Sequence, residues 1–253
     1  MENFKEKLSN YYNKFNEDKR LNHRHGQVEF ITSMKYINEY LTKGDKIIDI
    51  GAGSGKYSIA LKKQGYDVTA VELCRPNIGK IKINDPTLKV VEANAIDLSM
   101  FADNEFDFAI MFGPMYHLYS YEEKLQALKE AKRISKKYIF VTYIMNEYSV
   151  IEYAFKDNHY KEIKDKLTDD YHIDDKDGLF FQVRLEDIDK LNSDANLKLI
   201  KRFASDGPSD YMRSYINEMD EETFNGFIDY HLKTCERKEL LGASSHIVDI
   251  LAK

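Results

Sequence analysis

The residues best suited to chemistry begin with one short stretch. Asp49-Ile-Gly51-Ala-Gly53-Ser-Gly55 follows the apolar run Lys46–Ile50. Glycines there let the backbone turn tightly and let a ligand approach the amino terminus of the next helix. Three kinds of ligand site compete for this loop. A P-loop needs Gly-x-x-x-x-Gly-Lys-Ser/Thr. Gly55-Lys56 supplies its centre, but Ile50 stands at the first glycine and Tyr57 at the final hydroxyl. A dinucleotide loop needs its third glycine at position 56, and that residue is Lys56. Asp49, two residues before the first glycine, repels a phosphate and favours an ammonium. The loop therefore suits a ligand with an amino acid head and no phosphate.

Other reactive side chains are spread along the chain. Glu72 ends a β-branched run 72 − 49 = 23 residues after Asp49, where a carboxylate can accept both hydroxyls of a ribose. Asn94 offers a side-chain carbonyl to an exocyclic amine. Asp97 is open to the same role or to capping a turn from Leu98 to Phe101. His117 follows the run Phe106–Phe112. With an ordinary pKa of roughly 6.5 it can take a proton from a hydroxyl or amine, or it packs beside Tyr116 and caps the next helix. Arg213 can bind an acidic group or pair with Asp210 or Glu218. The cluster His23-Arg24-His25 has two alternate histidines and no nearby Cys or Asp, too few ligands for a metal, so none is expected. Cys74 and Cys235 form no zinc spacing, and a cytoplasmic location follows from them.

The elements that must carry these residues alternate. Apolar positions Phe4, Leu8, Tyr11, Tyr12 and Phe15 recur at helical spacing, as do Val28, Ile31, Met34 and Ile37, with a polar break from Asn22 to Gly26. From Lys46 onward, strands are expected at 46–50, 67–72, 88–93, 106–112 and 138–142. Helices are expected at 54–64, 75–83 and 121–134. Parallel strands need such crossovers, so the alternation implies a parallel sheet with helices on both faces. Beyond Thr142 the pattern loosens. A helix at 184–192, a strand at 197–204, a helical region at 210–239 broken around Gly226 and a terminal strand at 245–251 complete the reading. The small basic cluster Lys132-Arg133 and Lys136-Lys137 sits where cations favour a helix carboxyl end.

Size and composition set limits. The 253 residues carry 43 acidic and 37 basic side chains, a net charge of −6. That balance lacks the positive field of a nucleic-acid coat protein. No apolar run reaches the roughly 18 residues of a membrane span, and the amino terminus has no signal core. There is no Trp, which excludes a tryptophan cage, while the 18 Tyr leave a tyrosine cage open.

Asp49 to Gly55, Glu72 and the segment Ala93-Asn94-Ala95-Ile96-Asp97-Leu98 resemble the first three motifs of class I S-adenosylmethionine-dependent methyltransferases. Asn94 stands where an Asp is common there. Gly113-Pro114-Met115-Tyr116-His117-Leu118 resembles the post-strand loop of a bacterial branch with small-molecule substrates, and Arg24 to Phe30, Asp206-Gly207 and Met212-Arg213 fit that branch. The resemblance implies an α/β, Rossmann-like, doubly wound, mostly parallel seven-stranded sheet with an antiparallel last strand. It further implies an amino-terminal helical lid over residues 1–45, a methyltransferase domain over 46–253 and helical insertions at about 146–182 and 206–244. S-adenosyl-L-methionine is then the cofactor, held by Asp49, Gly51, Ala52, Gly53, Gly55, Glu72, Leu73, Asn94, Ala95, Phe112, Tyr12 and Arg24. His117 and Tyr116 are the catalytic candidates, and Arg213 and His25 the substrate contacts. A nucleic-acid base methylase resembles Asp/Asn-Pro-Pro-Tyr/Phe after the fourth strand, and Gly113-Pro114-Met115-Tyr116 lacks the amide or acid. A small-molecule acceptor is therefore expected, and no nucleic acid or membrane. A nicotinamide-dependent oxidoreductase and a non-catalytic S-adenosylmethionine-binding protein remain the alternatives.

Overall fold

In a computed structural model, which describes residues 2–14 and 23–253 and the side chains from residue 5 onward, the apolar runs pair into one seven-stranded sheet. The parallel strands β1 (Lys46–Ile50), β2 (Asp67–Glu72), β3 (Lys89–Glu92), β4 (Phe106–Met111) and β5 (Ser135–Ile144) are joined by β6 (Lys198–Ala204) and β7 (His246–Ala252). Their order is β3-β2-β1-β4-β5-β7-β6, with β7 antiparallel to both neighbours. Ile47, Ile48 and Ile50 on β1 are fully buried, as a central strand covered on both faces requires. The chain passes from β1 to β2 on one side and returns to β4 on the other. That reversal opens a crevice beyond the strand carboxyl ends, and it places the site.

The flanking helices are α1 (Glu2–Lys14), α2 (Arg24–Tyr40), α3 (Lys56–Lys63), α4 (Arg75–Asn84) and α5 (Tyr121–Ile134). In α5 the Ser120 hydroxyl accepts from the Glu123 amide, and Glu123 accepts from the Ser120 amide. This reciprocal cap fixes the start of the helix, so His117 does not cap α5 but packs beside Tyr116 and closes the turn Pro114–Tyr116. The two amino-terminal helices play different parts. α1 lies against α4, tied by Lys80 donating to the Tyr12 carbonyl (3.0 Å), and reaches β3 through Lys5–Glu92 (3.0 Å). α2 is a core helix. Its Tyr36 stacks on Phe203 with centroids 3.9 Å apart, and Tyr40 packs edge-on against Tyr138 and Phe140. The expected positions Phe15 and Asn22, and the Phe4 side chain, lie outside the described residues.

After β5 come α6 (Asn146–Ser149), a π-helical stretch (Val150–Lys156), α7 (Tyr160–Ile163) and α8 (Leu185–Asp194). Val150, Ala154 and Ile163 form a small core of their own with Leu167 and Ile173. Between β6 and β7 lie α9 (Arg213–Glu218), α10 (Glu221–Thr234) and α11 (Lys238–Leu241). The break expected at Gly226 falls instead at Met219–Asp220, where Asp220 caps α10 by accepting from the Thr223 amide (2.8 Å). Gly226 sits inside α10 with nothing near its Cβ position, so no packing constraint singled it out. Lys132, Arg133, Lys136 and Lys137 are engaged by carbonyls or carboxylates, among them Asn196, Glu130, Asp107 and Asp45. Among the described residues no helix is long and apolar enough to cross a membrane.

Candidate functional site

One cavity of about 1350 Å³ occupies the crevice. Its first end is built from strand termini. Gly51, Gly53 and Gly55 have positive φ values of 74°, 58° and 86°. At Gly51 a Cβ would also lie 2.6 Å from the Pro114 ring carbons, so glycine is required there for both backbone and space. The amides of Gly51 and Ala52 both donate to the Val71 carbonyl (2.8 and 3.0 Å), which pins the turn to β2. Gly51, Ala52 and Gly53 line the cavity, as do Glu72, Leu73, Asn94, Ala95 and Phe112.

Glu72 is buried with each oxygen satisfied: Oε2 accepts from the Gly53 amide and Oε1 from the Cys74 amide, both at 2.8 Å. Burial raises its pKa, and those amides with Leu73 and Asn77 oppose the rise. Asp49 is 2% exposed and does not line the cavity. It accepts from the Ser58 hydroxyl at 2.6 Å behind the glycine turn. Burial, aided by the Glu72 carboxylate, pushes its pKa up to about 6. Gly55 is likewise displaced from the wall, since it begins α3 facing Ile81. The Asn94 carbonyl accepts weakly from the Ile96 amide (3.3 Å). Asp97 is exposed, accepts from the Ser99 amide (3.1 Å) and starts the turn to Phe101, the capping role.

The other end converges around His117. Its Nδ1 bonds the Leu179 carbonyl at 2.7 Å. A carbonyl only accepts, so Nδ1 carries the proton and Nε2 the lone pair. Nε2 lies 2.8 Å from the Tyr12 hydroxyl, which donates to it. Rings of Tyr12, Tyr116 and Phe180 enclose the imidazole, and burial lowers its pKa to about 4. It is therefore neutral at pH 7. The Tyr116 hydroxyl donates to the Phe112 carbonyl (3.3 Å) and its ring faces Phe180. Tyr11 packs edge-on to both Tyr12 and Phe180. Tyr11 and Tyr12 both line the cavity.

Two expected contacts lie elsewhere. Arg24 sits over the Phe224 ring (5.4 Å) and is not a cavity residue, because α2 turns it toward α10. His25 is buried, its Nδ1 3.0 Å from Asn217 Oδ1, and joins α2 to α9 rather than meeting a substrate. Its ring stacks on His23. Arg213 does line the cavity, donating to the Tyr148 hydroxyl (2.8 Å) and pairing with Asp210 (3.4 Å).

Several residues escaped the sequence reading. Glu29, the one α2 residue on the cavity wall, meets Asp206 and His246 so that their ligand atoms lie within 4.8 Å of one another. Both Asp206 oxygens already accept from His246, from its amide (3.0 Å) and Nδ1 (2.6 Å). Glu152, Tyr148 and Phe180 come from the irregular stretch after β5, which has no period to read. Lys124 is buried, and its ammonium donates to the carbonyls of Leu118 and Tyr119. Burial lowers its pKa to about 8. It steadies the loop that carries His117.

Comparison with known proteins bears on the fold and on residues 48–139. Residues 48–139 match the family model described as a methyltransferase domain. The chain is 35% identical over 65 residues to the ribosomal protein L11 methyltransferase of Thermotoga neapolitana, covering 22% of this chain and about a quarter (24%) of that one. It is similar in fold to an S-adenosylmethionine-dependent methyltransferase of Methanosarcina mazei, with a TM-score of 0.59 and 21% identity over 86% of this chain and 96% of the other. The magnesium protoporphyrin IX methyltransferase of Synechocystis, solved with bound S-adenosylhomocysteine, gives a TM-score of 0.55 and 13% identity over 90% and 82%. Residues 48–139 thus match a methyltransferase domain model, and the whole chain shares the Rossmann-like fold of those methyltransferases.

Proposed function

We propose that this protein transfers the methyl group of S-adenosylmethionine to a nucleophile on a small molecule bound in the same cavity. The observation that carries this reading is the continuity of one space from Gly53 and Glu72 to His117 and on to Arg213. Its volume of about 1350 Å³ exceeds the roughly 300–1,000 Å³ of an ordinary single-ligand pocket. The first end fits the cofactor. A glycine cradle that a side chain would fill faces the methionine end, with Asp49 behind it adding negative potential. Glu72 accepts from the ribose through lone pairs its two amide donors leave over. Asn94 and the Ala95 amide meet the adenine between Leu73 and Phe112. Arg24 and Gly55 are absent from this assignment.

The bound cofactor supplies an already electrophilic methyl on a cationic sulfur. The protein's part is to hold the acceptor in line and to keep water out. α1 supplies part of the roof through Tyr11 and Tyr12, and residues 148–182 and 210–213 supply the rest. With Nδ1–H on the Leu179 carbonyl, Nε2 of His117 is the proton acceptor. An acceptor hydroxyl or amine that takes the place of the Tyr12 hydroxyl gives its proton to Nε2. Tyr116 is a wall residue beside it. Acidic side chains along the cavity, including Glu29, Glu123, Glu152, Asp157, Asp175 and Asp210, disfavour a phosphate backbone as substrate.

Two measurements test the reading. Methyl-labelled S-adenosylmethionine incubated with the protein and a metabolite extract should place label in a small molecule. Label confined to protein or nucleic acid overturns the substrate class, and label nowhere favours a non-catalytic binder. Heating should be resisted in S-adenosylmethionine and not in nicotinamide nucleotides.

A further inference from the structure

We propose that the acceptor is a cationic amine, its ammonium group held by Glu152 beside Tyr148 at the far end of the cavity. This deepens the methyl-transfer reading and rests on it.

Glu152 is 7% exposed and lines the cavity. Its Oε1 pairs with Lys156 at 2.5 Å, whereas its buried Oε2 has no hydrogen-bond partner among the described residues. The Tyr211 hydroxyl is a second buried oxygen without one. The Tyr211 ring packs edge-on against Tyr148, with centroids 4.9 Å apart. Buried oxygens left in this condition are costly, and native proteins seldom tolerate them.

The missing group must donate. A carboxylate oxygen accepts only, so an incoming carboxylate or phosphate cannot satisfy Glu152. A neutral hydroxyl offers one hydrogen. An ammonium carries three donors and no acceptor, so one of them can meet Glu152 Oε2, and the Tyr148 ring on the cavity wall attracts it further.

The surrounding charge agrees. Facing this end are the carboxylates of Glu29, Glu152, Asp206 and Asp210 and the cations Arg213 and Lys156, with His246 bonded to Asp206. Arg213 is half exposed and already engaged by Asp210 and Tyr148. Burial, with the carboxylates of Glu152 and Asp206 adding to it, pushes the Tyr211 hydroxyl up to about 12. A positive guest relieves this negative field, and an anionic guest adds to it.

The test uses three probes of one shape and different charge: 2-phenylethylamine, 2-phenylethanol and 3-phenylpropionate. Each is titrated calorimetrically into the full chain with S-adenosylhomocysteine present. The amine should bind at least tenfold more tightly than the other two. Glu152→Gln should lose that advantage, while Tyr211→Phe, which keeps the ring and lies off the cavity wall, should leave the amine affinity within twofold. Both variants should still bind S-adenosylhomocysteine like the parent, which shows that they fold and that the cofactor end is intact. The proposal is overturned if the propionate or the alcohol matches the amine, if no probe binds, or if Glu152→Gln leaves the amine affinity unchanged. A parent protein that bound no S-adenosylhomocysteine would overturn the cofactor reading, and the proposal with it.

Discussion

At the cofactor end the cavity is made of strand termini. Residues 49–55, 72–77 and 93–97 lie side by side because β1, β2 and β3 are paired in register, and much of what faces the ligand is main chain. At the acceptor end Glu29, His117, Glu152, Phe180, Arg213 and His246 converge from across the sequence, and they work through side chains. The first end is held by a hydrogen-bonded ladder whatever happens at its surface. The second depends on individual contacts, such as Leu179 holding His117, that no regular element enforces. Specificity can therefore vary at one end without disturbing the other.

Substitutions at the two ends should separate cleanly. His117→Ala removes the proton acceptor, and kcat should fall by about 10² to 10⁴ while cofactor affinity is kept. Steady-state rates with the labelled substrate check this, and a fall of less than threefold would make His117 a wall residue. Glu72→Ala removes the acceptor of two amides and of the ribose. Calorimetry should show S-adenosylmethionine binding weakened about 100-fold, or about 2.7 kcal/mol. Gly51→Ala forces a Cβ against Pro114 at positive φ. A loss of about 3 kcal/mol is expected, seen as a melting point lower by roughly 6–12 °C. Asp49→Asn keeps the Ser58 contact but removes the charge, and should weaken cofactor binding by about tenfold or less.

The smallest effect is a pair of opposite pH slopes. Folded His117 titrates near 4 against roughly 6.5 unfolded, so the unfolded chain takes up its proton first. Its contribution to stability is present above 6.5 and is lost as pH falls toward 4. Folded Asp49 titrates near 6 against an ordinary value of about 3.9. Here the folded chain takes up the proton first, so the contribution is present in acid and lost as pH rises through 6. Denaturant unfolding of the parent, His117→Asn and Asp49→Asn between pH 4 and 7 should show differences of opposite sign. Slopes of the same sign would break the contrast between the ends.

The sequence was legible where local rules act. β1, β2 and α5 begin and end where apolar runs, glycines and the Ser120/Glu123 cap require. The glycine turn and Glu72 could be found because strand ends carry them at fixed spacing. Asp97 illustrates the value of the plain alternative, since it caps a turn. Arg24 and His25 were misplaced because adjacency to a polar break says nothing about which way a core helix faces. Glu152 and Tyr211 were invisible because their significance is an unsatisfied oxygen, a property of packing. Gly226 misled because an exposed helical glycine touches nothing and so needs no turn.

The grip of Glu72 on the Gly53 and Cys74 amides has a kinetic consequence. Main-chain donors fix both carboxylate oxygens, so Glu72 needs no side-chain rearrangement to accept a ribose hydroxyl in the proposed mode. The Tyr12 hydroxyl is bonded to Nε2 of His117, so in the proposed mechanism every acceptor that reaches Nε2 first displaces that hydroxyl.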